Sequence, residues 1–319
     1  MNKRGAFMKN FISILVLALV PALAFAAERP NWAYPETDKV LPPRTDDGKP
    51  KTVPGSTKSY TQAQMDDGFN PPDWFPDEHP PMPRIVGHGN GTTVRACTLC
   101  HLTSGEGHPE SSGLAGLPVP YLIRQMADFK SGARKGGRAA SITAIAKAMA
   151  DDDVRTASEY FASLKSSVWT KVVETDSVPK SYVGPGAMRL PHPDGGTEPI
   201  GNRIIELPQD PARATSRDPK SGFIAYVPRG SIAKGEALVT TGGGGKTIAC
   251  AICHGPTLKG LGEWPRIAGL SAIYVVRQLY DIQSGDRAGV SAELMKASVA
   301  RLDVDDMIAI AAYVASREP

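Results

Sequence analysis

Apolar residues along the 319-residue chain follow different periods in different stretches, and each stretch predicts a different element. The first is an apolar run from Phe11 to Phe25 that contains Pro21. Between residues 27 and 96 neither a helical nor an alternating period survives, and 12 of the 28 prolines fall there, so a mostly irregular arm is expected. The end of this arm, Trp74-Phe75-Pro76 and Pro80-Pro81-Met82-Pro83, carries enough apolar surface to pack on the domain after it. Helical spacing then dominates. Tyr274 to Ser284 places Val275, Leu279 and Ile282 on one stripe, and Val304 to Ser316 places Met307, Ile310, Ala311 and Val314 on another, with Asp303 as N-cap. Lys234 to Thr241 predicts a shorter helix. Residues 176–228 are again proline-rich, but the apolar runs Ile204-Ile205-Glu206-Leu207 and Phe223-Ile224-Ala225-Tyr226-Val227 predict an ordered strap with a short strand pair.

The helical regions repeat. At a constant offset of 153, Cys97, Cys100 and His101 fall on Cys250, Cys253 and His254; Tyr121 falls on Tyr274, Arg124-Gln125 on Arg277-Gln278, Arg134 on Arg287, and Asp152-Asp153 on Asp305-Asp306. The repeated C-x-x-C-H carries the chemistry: two thiols one turn apart can bond to the vinyl groups of a haem, and the adjacent imidazole can serve as proximal iron ligand. A four-cysteine zinc site or a redox dithiol also uses C-x-x-C, but neither requires the histidine that both copies have. All four cysteines are used by the two copies, leaving none for a disulfide. The expected cofactors are two covalently attached haem c groups.

Charge alters the picture of the ends rather than of the core. Lys3, Arg4 and Lys9 precede the apolar run, and Ala24-Phe25-Ala26 closes it with small residues at the spacing of a cleavage site, so residues 1–26 read as a secretory signal peptide. Its removal lowers Lys+Arg from 36 to 33 against 33 Asp+Glu, which leaves a formally neutral chain with no basic surplus for nucleic acid or anionic lipid. No later apolar segment is long enough to span a membrane. The run Gly242 to Thr247 superficially suggests a phosphate-binding loop, but Thr240 stands where that pattern needs its first glycine.

With C-x-x-C-H followed by A-G, Y-x-x-x-Q, G-x-R and a closing helix in both copies, the chain resembles the dihaem class I cytochromes c of the cytochrome c4 type over about half its length. The resemblance implies an all-α fold of two cytochrome c domains in tandem. Residues 97–175 would form the first and 229–319 the second, joined by the strap at 176–228 and preceded by the arm at 27–96. It also implies a sixth iron ligand from a methionine before the closing helix, a place that Met295 occupies, and a proline, matched by Pro265, behind the proximal histidine. The first copy departs at both positions, with Ile142 and Ser112. Haem 1 is then open or takes a ligand from elsewhere; Met188 in the strap is the preferred candidate, ahead of Met82, His79, His88, His108 and His192. What the family implies is a periplasmic electron carrier between a donor, such as a periplasmic dehydrogenase, and a downstream cytochrome or oxidase. A cytochrome subunit of a dehydrogenase complex is a variant of that reading. Ile142 supports the alternative of a dihaem enzyme with an open haem 1, peroxidase-like.

Overall fold

The computed structural model describes residues 28–37, 47–137 and 139–319; the expected signal peptide lies outside them. The first helical unit consists of the turn Thr98–His101 and three helices: α1 (Val119–Ser131), α2 (Ala139–Ala148) and α3 (Asp151–Ser163). The second repeats it at the same offset. The turn is Ala251–His254, α5 is Ala272–Ser284, α6 is Glu293–Val299 and α7 is Val304–Ala315; the additional helix α4 (Ser231–Thr241) comes before them. Helix α7 is buried along most of its length and packs on α4, where Gly235 lets the backbones approach: an added Cβ would stand 2.0 Å from the Ala309 carbonyl oxygen. Pro118 and Ser271 introduce the equivalent helices α1 and α5, and Gly132 and Gly285 end both in left-handed conformations.

The connection is where the all-α expectation needs correction. Strand β1 (Thr170–Glu174) pairs in parallel with β3 (Phe223–Val227), and β3 pairs antiparallel with β2 (Ile205–Pro208), giving a sheet of order β1-β3-β2. Two small hairpins add Ser177–Pro179 with Thr197–Pro199 and Ser181–Val183 with Arg189–Pro191. Short apolar, β-branched segments explain this: β3 alternates between buried and half-buried positions, and all four residues of β2 are buried. The strand pair expected at these two runs is present, and β1 joins it from the end of the segment assigned to the first domain.

The arm is less irregular than its proline content suggests. It forms short helical turns at Asn31–Ala33, Gln62–Met65, Pro76–Glu78 and Arg84–Gly87, and has its own cluster of Val53, Met65, Trp74 and Phe75. The Trp74 indole N–H donates to the Ser216 carbonyl at 2.8 Å, which ties the arm to the connection, while Ile85 and Val86 enter the core of the first helical unit. At its start, the Tyr34 hydroxyl donates to Asp281 at 2.6 Å on α5. The glycine run after Gly242 ends α4 and does not open a phosphate-binding helix, because Gly242 is that helix's left-handed C-cap. Among the described residues, no helix is long and apolar enough to cross a membrane.

Candidate haem sites

Each C-x-x-C-H sequence occupies one helical turn, which puts both thiols and the imidazole at its end within reach of one ligand. The His101 Nδ1 lies 2.8 Å from the Ser112 carbonyl, and the His254 Nδ1 lies 2.8 Å from the Pro265 carbonyl. Donation from Nδ1–H to a carbonyl fixes the tautomer and ring orientation and leaves Nε2 with its lone pair for iron. Ser112 in place of proline therefore preserves this support, since the contact is made by the main chain. Burial lowers the pKa of both histidines, so neutral, ligating imidazole is favoured.

The thiols are unlike those of a redox dithiol. Burial and the neighbouring cysteine push Cys97 up to about 12, and burial pushes Cys250 up to about 11, whereas a reactive thiol pair has a depressed pKa. None of the four cysteines is in a disulfide, and among the described residues no group of three or more His, Cys, Asp or Glu side chains is gathered to hold a metal ion.

Beside the first turn lies a cavity of about 480 Å³ whose wall is more apolar than polar. Cys97, Cys100 and His101 line it on one side, and Ile142, Ile145 and Phe129 from α1 and α2 also face it. This combination of size, thiols, an oriented imidazole and apolar walls fits a covalently attached porphyrin. Met188 lines the cavity, as do Met126, Met149 and His108; Met82, His79, His88 and His192 do not. Met188 packs with Leu102, Trp169, Ala214 and Phe223, next to the residue that follows His101, while Met126 and Met149 belong to the core of the first helical unit. In the second unit Met295 is half-buried on α6 and packs on the same core as Cys250.

The cavity is completed by the other repeat: Tyr274, Arg277, Gln278 and Asp281 of α5 form part of its polar end. There the two halves meet about a pseudo-two-fold axis. The Arg134 guanidinium donates to Gln125 at 2.8 Å, to Gln278 at 2.8 Å and to Tyr274 at 3.1 Å; Arg287 donates to Gln278 at 2.9 Å, to Gln125 at 2.8 Å and to Tyr121 at 3.2 Å. Burial would raise the Tyr274 phenol, but Arg134 and Arg287 outweigh it and pull it down to about 8. Every member of this network appears among the repeated sequence positions, yet nothing in the sequence shows that the pairs cross from one half to the other.

No family model matches the chain. The thiosulfate dehydrogenase electron acceptor of Thiomonas intermedia is 26% identical over 226 residues, covering 70% of this chain and 78% of that protein. Cytochrome c4 of Pseudomonas aeruginosa is also 26% identical over 226 residues, covering 68% of this chain and 82% of its own. Cytochrome c-554(548) of Halomonas halodenitrificans is 34% identical over 71 residues, 22% of this chain and 86% of that one. The chain belongs to the c-type cytochromes, as a dihaem electron-transfer cytochrome of the cytochrome c4 kind that carries two covalently bound haem c groups.

Proposed function

We propose that this cytochrome works outside the cytoplasm, taking single electrons from a dehydrogenase and passing them to a downstream cytochrome or oxidase. The observation that carries the proposal is the paired C-x-x-C-H turns, each with its imidazole oriented by a main-chain carbonyl. Cys97, Cys100 and His101 would hold haem 1, and Cys250, Cys253 and His254 haem 2; the bound groups supply reversible one-electron chemistry. The name of the Thiomonas intermedia relative makes a thiosulfate-oxidising dehydrogenase one candidate donor. For export, the supporting features are the basic, apolar and small-residue pattern of residues 1–26 and the extracytoplasmic attachment of haem c. Mass spectrometry of the exported protein is expected to give a chain beginning at Ala27 plus two haem masses; one haem, or bound zinc, refutes the assignment.

Met295 would supply the sixth ligand of haem 2, a reading supported by its place on the helix before the closing one, packed on the same core as Cys250. Met188 is assigned to haem 1. It is the cavity-lining methionine outside the α1–α3 core, where Met126 and Met149 have leucine counterparts, Leu279 and Leu302, in the second repeat. Met295→Ala should remove the oxidised methionine–iron charge-transfer band of one haem and lower its potential, and Met188→Ala should turn the other high-spin. If Met126→Ala or Met149→Ala has that effect and Met188→Ala does not, the ligand comes from the core. Substantial high-spin character in the wild type, with ready cyanide binding at one haem, would instead favour the peroxidase-like reading that Ile142 supports.

A further inference from the structure

We infer that the connection sets the reduction potential of haem 1 through Arg217, a positioning residue whose guanidinium holds the first attachment turn and keeps a positive charge beside it; this rests on the assignment of haem 1 to Cys97, Cys100 and His101 above. The turn leaves one carbonyl over. Within it the His101 amide donates to the Cys97 carbonyl at 3.0 Å and the Leu102 amide to the Thr98 carbonyl at 3.0 Å. The Leu99 carbonyl is next in that series, and the turn ends before a residue that would pair it. Arg217 Nη1 donates to it at 2.6 Å, while Nε of the same side chain donates to the Met65 carbonyl at 2.7 Å. One guanidinium from the connection thus joins the arm to the haem 1 turn.

The segment that carries Arg217 is built to hold it there. Arg217 has a left-handed backbone, φ 57, which is uncommon for a residue with a side chain and persists where its surroundings over-determine it. On one side of it the Ser216 carbonyl accepts from the Trp74 indole at 2.8 Å. On the other, almost fully buried Asp218 accepts from Arg213 Nε at 2.6 Å and from the Lys220 amide at 2.9 Å. The duplication supplies an internal control. Leu102, which ends the first turn, is also left-handed, φ 59, and is buried with Ala214 and Phe223 of the connection. At the offset of 153 its counterpart is Gly255, φ 80, a residue that takes this conformation without a side-chain penalty. The first turn therefore depends on the connection for a shape that the second reaches by itself, and Arg217 lies outside the repeated residues, so the duplication places no matching charge on the second turn.

Charge is what this bond adds beyond holding the turn. Arg217 lines the haem 1 cavity as well as touching the turn. The carboxylate that faces it, Asp66, stands 4.0 Å away and is the more exposed of the two, 40% against 22%, so water screens the anion more than the cation. Arginine stays protonated throughout the working range of pH. A ferric haem carries one more positive charge than a ferrous one, so a fixed cation beside it disfavours the oxidised form and raises the potential. Arg217 therefore biases an electron shared by the two haems towards haem 1.

Spectroelectrochemical titration of the purified dihaem protein is the test. Arg217→Gln should move one of its two reduction waves to lower potential by roughly tenfold in the one-electron equilibrium, about 59 mV, and leave the other in place. Arg217→Lys keeps the charge without the planar fork and should bring the wave most of the way back. Lys220→Gln, which removes a cation at the surface of the same segment, should move neither wave. In Asp66→Asn the opposing carboxylate is gone, and the same wave should rise. Mass spectrometry and circular dichroism check that each variant carries two haems and is folded. The inference is overturned, with the haem assignment left standing, by unchanged waves or a common shift of both in Arg217→Gln, by a fall in Arg217→Lys as large as in Arg217→Gln, or by an equal fall in Lys220→Gln. Should the Arg217 variants fail to fold, a wave that stays or falls in Asp66→Asn overturns it in the same way. A single haem in the wild-type protein overturns both.

Discussion

Glu206 shows how far one residue's role can lie from its local sequence. It is almost fully buried, and its carboxylate accepts from Ser271 Oγ at 2.8 Å, from the Ile273 amide at 3.2 Å and from Thr170 Oγ1 at 3.3 Å. It thereby ties β2 to β1 and supplies an anion at the N-terminus of α5, where the helix dipole favours one. Glu206→Ala is expected to cost roughly 1–3 kcal/mol by leaving buried donors unpaired, measurable as a lowered denaturant midpoint. Burial is the main influence on its acidity and raises its pKa, with the hydrogen bonds opposing. The native state thus holds this proton more tightly than the unfolded chain. That contribution is full below the unfolded value of about 4.3, and it is lost as pH rises through the folded value. In Glu206→Gln this part of the pH dependence should vanish. In the sequence Glu206 is one position in an apolar run, because its partners lie 36 to 67 residues away. The C-x-x-C-H residues are legible because covalent attachment demands their spacing locally.

At the scale of elements, what could be read depended on whether an element carries its own stabilising pattern. Helix α7 does: its apolar stripe is continuous, and Asp303 forms a capping box with Asp306, accepting at 2.9 Å and donating its own amide at 3.2 Å. Strand β1 does not. Thr170 to Glu174 is too short to show a period and becomes a strand only by pairing with β3, some fifty residues on. The all-α expectation failed there, since nothing local marks a parallel partner. Helix α4 was visible from its own spacing, but its closeness to α7 was not. Because a Cβ at Gly235 would meet the Ala309 carbonyl carbon at 2.6 Å and Tyr313 Cβ at 2.8 Å as well as the carbonyl oxygen, Gly235→Ala must push the helices apart. The expected cost is about 1–3 kcal/mol from overpacking, although alanine is the better helix former. Thermal unfolding followed by circular dichroism would show it as a lowered midpoint; an unchanged or raised one would mean that the helices separate without penalty.

In the whole molecule the two repeats face each other, and the residues that match at the offset of 153 are largely those that join them. Besides the Arg134 and Arg287 network, the Lys135 amide donates to the Asp286 carbonyl and the Ala288 amide to the Ala133 carbonyl, the latter at 2.7 Å, as a pseudo-symmetric pair. Arg266 of the second half donates across to the Ala115 carbonyl at 3.3 Å and stands 3.8 Å from buried Glu106. The sequence showed that the halves are alike but not that they share a wall, because matching positions look the same whether they serve one fold twice or the contact between copies. Two arginines at this contact separate those possibilities. Arg134 is buried, and in Arg134→Met its three hydrogen bonds to Gln125, Gln278 and Tyr274 are lost, with Arg287 left as the remaining arginine donor to Gln125 and Gln278. Arg124 makes a shorter ion pair, 2.7 Å to Glu263 across the same boundary, but both side chains are well exposed. Losing three hydrogen bonds from a buried charged donor should cost on the order of 3 kcal/mol in Arg134→Met, whereas Arg124→Met should cost below about 1 kcal/mol. Because the lost bonds hold one half against the other, calorimetry of Arg134→Met is expected to split unfolding into two resolved transitions, while Arg124→Met keeps the wild-type profile. Equal effects of the two substitutions would mean that the buried network contributes no more to joining the halves than an ion pair at the surface.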